Sequence, residues 1–172
     1  HVVFGLLRQW SEAIIVGAGT ARAEEYGAAS RPLVLVSRRG EVPTRLRGLP
    51  AGRVVLATVA ASPGHAEAVE LLGAENVLAF GAEGVDLTRV RPALVERGWG
   101  RLLCEGGPSL LHALVDQGVV DEITATVVPR LVAGNGPRML HGELLDRQLE
   151  LTGLLAADDG TLFGRWRLQS AE

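Results

Sequence analysis

The chain contains no lysine, because all 17 of its Lys and Arg residues are arginines. This excludes enzymes that form a lysine Schiff base, and it makes every cationic side chain other than histidine a guanidinium, which suits phosphate. One cysteine excludes a disulfide framework and a cysteine-rich zinc site, and it fits a reducing, cytoplasmic location. His65, His112 and His141 have no metal-ligand spacing, so we expect no metal. No apolar run approaches the roughly 20 residues of a membrane span, so we expect no membrane partner.

The chain has the composition of a globular protein, with 47% hydrophobic and 22% charged residues. The length of 172 residues suits a single domain over residues 1–172. A net charge of −3 argues against a nucleic-acid partner. Val3, Leu6, Leu7 and Trp10 share one helical face with no capping residue before them. We therefore expect the sequence to begin inside an element, with upstream residues missing.

A glycine turn between a strand and a helix is the most informative segment. Arg101–Cys104 is a short apolar run typical of a strand, and Gly106-Gly107 interrupts it. Pro108 suits the first position of a helix, which we predict to stop at Gly118. Unpaired N–H groups at such a helix start favour a phosphate or pyrophosphate. The alternative is a strand-to-helix turn that needs glycine for geometry alone.

A second glycine turn follows the strand that ends at Val16. Gly17 opens it, and Thr20 is predicted to cap a short helix whose opening turns contain Glu24. The segment differs from a dinucleotide fingerprint, since Arg22 stands where the third glycine belongs. Ser37 and Arg38 end the next strand in place of an acidic residue, which favours the 2′-phosphate of NADPH over NADH. The alternative for the arginine pair Arg38-Arg39 is a solvated loop.

The distribution of apolar runs predicts an α/β protein. Strands alternate with helices in the first two thirds, which indicates a parallel sheet covered on both faces. The last third contains strands with little helix between them, and we expect these to form an antiparallel end of the same sheet, with a hairpin turn at 158–161. The predicted strands are 13–16, 32–37, 53–58, 76–80, 101–104, 122–129, 148–155 and 162–169, and the predicted helices include 64–72 and 88–97.

Four segments in this order resemble one known family. They are VGAGTARAEEYG at 16–27, LVLVSRR at 33–39, CEGGPSLLHALVDQGVVDEI at 104–123 and VVPRLVAGNG at 127–136. Together they look like the reductase domain of riboflavin biosynthesis, a dihydrofolate-reductase-like domain that forms the C-terminal half of bifunctional riboflavin deaminase-reductases. The resemblance implies a three-layer fold with a mixed, mostly parallel sheet, antiparallel C-terminal strands and helices on both faces. The zinc-deaminase signature is absent from the sequence.

The resemblance also implies an activity and a set of site residues. The family reduces the ribosyl group of 5-amino-6-(5-phosphoribosylamino)uracil to a ribityl group with NADPH, and it implies a homodimer. A cis peptide bond is expected at Gly106-Gly107. The implied substrate contacts are Glu105, Arg31 and Ala28. The implied cofactor contacts are Gly17, Thr20, Glu24, Ser37, Arg38, Gly106, Gly107, Pro108, Ser109, Leu110 and Leu111.

Glu105 is the candidate catalytic residue. We expect its carboxylate to stabilise the cationic sugar carbon that receives hydride from the cofactor. The alternative is a carboxylate that braces the turn by accepting backbone N–H bonds. Two other functions remain open at this point. One keeps the fold and cofactor but reduces dihydrofolate or another pterin or pyrimidine, and the other is a nucleotide-binding protein without catalysis.

Overall fold

The computed structural model describes residues 2–169, which form five α-helices and eight strands. The helices are α1 (Val2–Trp10), α2 (Ala18–Ala23), α3 (His65–Leu72), α4 (Leu87–Glu96) and α5 (Pro108–Asp116). The strands are β1 (Ala13–Gly17), β2 (Leu33–Val36), β3 (Val54–Thr58), β4 (Val77–Ala79), β5 (Leu102–Cys104), β6 (Glu122–Val127), β7 (Leu149–Ala156) and β8 (Leu162–Leu168). The predicted strands are confirmed, with ends that shift by one or two residues.

The first five strands form a parallel sheet in the order β4-β3-β2-β1-β5. β1 lies between β2 and β5, and its Ile14 is opposite Leu33 of β2 and Leu103 of β5. This parallel sheet explains the continuous apolar runs in the sequence. Alternate residues of a strand point to opposite layers, and both layers of a parallel sheet are covered.

Two separate cores lie on the two faces of this sheet. On one face, Ile15, Val34 and Val55 pack with residues of α4 and α5. On the other, Ile14 and Leu35 are among the residues that pack with α2 and α3. The predicted three-layer α/β arrangement with helices on both faces is therefore confirmed. No helix within residues 2–169 combines the length and apolarity needed to cross a bilayer.

The antiparallel strands form a sheet of their own, in the order β6-β8-β7. This differs from the expected single mixed sheet, since no ladder joins this sheet to the parallel one within residues 2–169. The hairpin turn at 158–161 is confirmed, with the Thr161 backbone N–H donating to Asp159 Oδ1 over 2.9 Å. The antiparallel character of the C-terminal third is also confirmed.

Helix α1 covers no fully buried position. Of its predicted apolar face, Val3 and Leu7 are half-buried, whereas Leu6 and Trp10 are exposed. Its C-terminal end is held by Arg31, whose guanidinium donates to the backbone oxygens of Arg8 and Gln9. A cation is favourable at this end of a helix, where the carbonyl groups lack intrahelical partners.

Two neighbouring residues of α4 give a matched test of the core. Leu94 is fully buried and Val95 is 51% exposed. Leu94→Ala leaves a cavity beneath the sheet, so we expect the free energy of unfolding to fall by about 2–5 kcal/mol. Val95→Ala should change it by no more than about 0.5 kcal/mol. Urea unfolding followed by circular dichroism measures both, and equal losses would contradict the layered core.

Candidate active site

The candidate site lies where the chain reverses its direction of travel across the parallel sheet. From β1 the chain proceeds through β2 and β3 to β4, and it then returns to place β5 on the other side of β1. The carboxyl ends of β1 and β5 therefore meet at a switch point, where open α/β sheets bind ligands in a crevice. The two loops touch directly, since the Gly17 backbone N–H donates to Gly106 O over 2.8 Å.

The turn after β5 has the predicted form. The Gly106-Gly107 peptide bond is cis, and Gly106 has a φ of 95°, a value that favours glycine. Pro108 is the first residue of α5, and Gly118, with a φ of 68°, follows the end of that helix. No side chain caps the N-terminus of α5, and Pro108 and Ser109 are exposed. Since first-turn N–H groups have no intrahelical acceptor, the Ser109 and Leu110 amides can serve an anion.

Thr20 does not cap α2, contrary to the prediction. The helix begins at Ala18, so Gly17 occupies the cap position and Thr20 lies inside the helix. Glu24 follows the last helical residue rather than lying in the opening turns, and its backbone N–H donates to Thr20 O over 2.9 Å. The Thr20 hydroxyl instead lies against Gly107, so closely that a Cβ on Gly107 would collide with it. Thr20 therefore still belongs to the site, as a neighbour of the cis turn.

The Glu105 side chain is buried and receives three side-chain hydrogen bonds. Arg8 donates from Nε to Oε1 and from Nη2 to Oε2, each over 2.6 Å, and the Tyr26 hydroxyl donates to Oε2 over 2.6 Å. The Glu105 side chain is 2% exposed, and that of Arg8 is 35% exposed. Within residues 2–169 no backbone N–H bonds to this carboxylate. The alternative in which the carboxylate braces the turn by accepting backbone N–H bonds therefore does not describe this structure.

Arg8 and Tyr26 are site residues that the sequence reasoning missed. A signal was present for each, since Arg8 is the only charged residue of α1 and Tyr26 is the only tyrosine of the chain. Burial, followed by the hydrogen bond to Glu105, raises the pKa of Tyr26 well above its ordinary value. The hydrogen bond to Glu105 raises the pKa of Arg8. Tyr26 is therefore a protonated donor, and the guanidinium is charged.

Arg31 and Ala28 lie on the connection between α2 and β2. Arg31 is half-buried, and its Nε donates to Arg8 O over 3.3 Å, so the predicted phosphate contact lies next to the backbone of Arg8. Ala28 is exposed, two residues after Tyr26. The structure thus brings Arg31 close to the Arg8–Glu105 pair.

The predicted adenosine end lies at the carboxyl end of β2. Ser37 follows that strand, is buried, and donates its backbone N–H to Ala57 O over 3.0 Å. Arg38 is exposed, and it forms no ion pair within residues 2–169. Arg39, by contrast, pairs with Glu41 over 3.0 Å. Over the same residues, no cluster of three or more His, Cys, Asp or Glu side chains could hold a metal ion.

Comparisons with known proteins identify the family to which the sequence is similar. The sequence model described as "RibD C-terminal domain" matches residues 1–163. The 2,5-diamino-6-ribosylamino-4(3H)-pyrimidinone 5′-phosphate reductase of Archaeoglobus fulgidus is 31% identical over 155 residues, which are 80% of this chain and 71% of that protein. The riboflavin biosynthesis protein RibD of Chlamydia trachomatis is 33% identical over 86% of this chain but only 42% of its own length.

Solved structures show the same fold. A pyrimidine reductase-like protein from Corynebacterium diphtheriae superposes with a TM-score of 0.79 at 21% identity, over 99% of this chain and 81% of that one. Dihydrofolate reductase from Enterococcus faecalis, complexed with NADP(H) and RAB-propyl, superposes with a TM-score of 0.51 at 10% identity, over 98% and 82%. The predicted dihydrofolate-reductase-like fold is confirmed.

The Arg8–Glu105 pair gives a test of stability. Arg8→Met removes two of the three donors to a buried carboxylate, so we expect a loss of about 2–4 kcal/mol in the free energy of unfolding. Adding Glu105→Gln should restore part of that loss, because a neutral amide costs less to bury. In the control, Arg45→Met removes an ion pair whose side chains are 62% and 68% exposed, and it should cost less than about 1 kcal/mol. Urea unfolding of the four proteins decides, and equal losses for the two arginines would contradict the assignment.

Proposed function

The chain belongs to the RibD C-terminal domain family, and from that premise we propose that it is an NADPH-dependent reductase of riboflavin biosynthesis. It converts the ribosyl group of a ribosylaminopyrimidine 5′-phosphate to a ribityl group. The pyrimidine is 5-amino-6-(5-phosphoribosylamino)uracil, or the 2,5-diaminopyrimidinone for which the Archaeoglobus relative is named. The observation that carries the proposal is the meeting of the Gly17 loop with the Gly106-Gly107 turn beside a buried Glu105.

The residues at this edge of the sheet fit a nicotinamide dinucleotide. The exposed, uncapped start of α5 offers backbone N–H groups at Ser109 and Leu110 to the pyrophosphate. The absence of a side chain at Gly107 keeps the backbone open beside Thr20, where a Cβ would collide with the hydroxyl. Ser37 and Arg38, which has no ion-pair partner in the described part of the chain, serve the 2′-phosphate, which a guanidinium binds well. Gly17, Glu24, Gly106, Pro108 and Leu111 complete the proposed contacts.

The reaction needs charge next to the sugar carbon. Bound NADPH supplies a hydride; the C1′–O4′ bond of the ribose breaks, C1′ gains the hydride, and O4′ gains a proton. Positive charge develops at C1′ as that bond weakens, and an ionised carboxylate at Glu105 stabilises it. A carboxylate has about four acceptor sites, and three are occupied by Arg8 and Tyr26, which leaves one for the substrate.

Arginines hold the anionic end of the substrate in this proposal. Nη1 of Arg8 has no hydrogen-bond partner within residues 2–169, so it is free to donate to a ligand. Arg31 is the proposed phosphate contact, with Ala28 beside it. Planar guanidinium groups match phosphate oxygens in two-point contacts, which is the chemistry that a lysine-free chain has available.

A homodimer in the cytoplasm is the proposed state of the protein. Exposed apolar side chains on the antiparallel sheet, at Val127, Leu151, Leu154 and Leu155, support an interface there. Ile123 and Ala125, on the same strand as Val127, are half-buried. The single free cysteine is consistent with a reducing compartment.

An assay of the purified protein tests the proposed function. Loss of the NADPH absorbance is expected with either ribosylaminopyrimidine phosphate and not with dihydrofolate. Glu105→Gln should lower kcat about a hundredfold, because the developing charge loses its carboxylate. Glu122→Gln is the control, since Glu122 is an exposed carboxylate on β6. Turnover of dihydrofolate alone would favour the pterin reductase, and NADPH binding without turnover would favour the non-catalytic protein.

Arg38 tests the choice of cofactor. Arg38→Gln should raise the KM for NADPH about tenfold and leave the KM for NADH unchanged, since only NADPH carries the 2′-phosphate. Arg91→Gln is the matched control, because Arg91 is an arginine of α4 whose side chain is 42% exposed and pairs with Asp121. Steady-state kinetics with both cofactors provide the measurement. An equal rise for NADPH and NADH would contradict the 2′-phosphate contact.

A further inference from the structure

The hydroxyl of Tyr26 is the part of the Glu105 network that the proposed reaction does not use. Tyr26 lies just after α2, and its ring packs against the core cluster on the α2 and α3 side of the sheet. From there the hydroxyl donates to Oε2 of Glu105 over 2.6 Å, across 79 residues of sequence. The chain thus uses its only tyrosine to connect a core layer with a buried carboxylate.

The two donors to Glu105 are anchored to different degrees. Arg8 lies on α1, a helix without a fully buried residue, and its side chain is 35% exposed. Tyr26 is fixed by its ring packing as well as by its hydrogen bond. Because Arg8 alone holds Oε1, the carboxylate and the guanidinium could swing together toward solvent if Oε2 lacked a second donor. The Tyr26 hydroxyl opposes that movement.

We propose that Tyr26 is a positioning residue, which holds the Glu105 carboxylate in the plane that keeps its two-point contact with Arg8, beside the Gly106-Gly107 turn. Tyr26 touches Glu105 and acts on the substrate only through it. The inference rests on the proposed function, because it assigns Tyr26 a part in the same reaction. The hydrogen bond between Tyr26 and Glu105 can also be tested without turnover.

Tyr26→Phe is the direct test, because it keeps the ring in the core and removes only the hydroxyl. We expect kcat/KM for the ribosylaminopyrimidine phosphate to fall about tenfold, the size of one lost hydrogen bond to a charged group. The KM for NADPH should stay within about twofold, since the proposed cofactor contacts do not include Tyr26.

Thr152→Val is the matched control, since it also removes one hydroxyl, which on β7 donates to Arg165 O. Circular dichroism and the thermal midpoint give the folded fraction of each variant, and rates are expressed per folded protein. An unchanged kcat/KM in Tyr26→Phe would overturn the positioning role. So would a loss that Thr152→Val shares, or a loss that appears equally in the KM for NADPH.

A titration of the only tyrosine tests the contact without catalysis. Tyrosinate absorbance after rapid pH jumps should give a midpoint above the ordinary value of about 10 in the parent protein. In Glu105→Gln the midpoint should move down, because the carboxylate no longer opposes ionisation, while burial keeps part of the shift. Identical midpoints would overturn the contact. Absence of reductase turnover in the parent protein would instead overturn the proposed function, so the two failures are distinguishable.

Discussion

The structure around the site depends on one constraint, namely that a buried carboxylate must be supplied with donors. The side chain of Glu105, which follows the edge strand β5, is 2% exposed, and an ionised carboxylate there is costly unless it is paired and hydrogen-bonded. Its donors come from α1 and from the connection between α2 and β2. The pairing therefore connects two segments that no strand ladder joins. Because α1 has no fully buried residue, this ion pair and the hydrogen bonds from Arg31 hold the helix at the site.

Topology determines where that constraint is located. Because β5 joins the sheet on the far side of β1, the ends of two strands that are distant in sequence become neighbours, and their loops exchange the Gly17–Gly106 hydrogen bond. The loop after β5 needs glycine at two positions: Gly106 for its positive φ, and Gly107 because Thr20 occupies the space of a Cβ. A helix start, a cis turn and a carboxylate thus share one edge, at the switch point where open α/β sheets bind ligands.

Local pattern was sufficient for the elements and for the glycine turn. Apolar runs predicted the strands, and Gly106, Gly107 and Pro108 predicted the turn and the start of α5, since each of those residues has a restricted set of backbone conformations. The network around Glu105 could not be found in this way. Arg8 and Tyr26 are 97 and 79 residues away from Glu105 in sequence. Hydrophobic periodicity does not predict which side chain donates to a buried carboxylate. The prediction that Thr20 caps α2 was wrong for a related reason. Gly17 occupies the cap position, and the Thr20 hydroxyl packs against Gly107, a contact that is distant in sequence.

The lysine-free composition has a structural consequence at this site. Guanidinium groups carry several donors in fixed directions, so one arginine can satisfy protein acceptors and still present N–H groups to a ligand. Arg8 uses Nε and Nη2 on Glu105, and Arg31 binds the backbone oxygens of Arg8 and Gln9 at the end of α1. The two proposed anion contacts are consequently linked through the same turn of helix. A phosphate bound as proposed at Arg31 would therefore lie one hydrogen bond from the backbone that carries Arg8, the residue that holds the carboxylate.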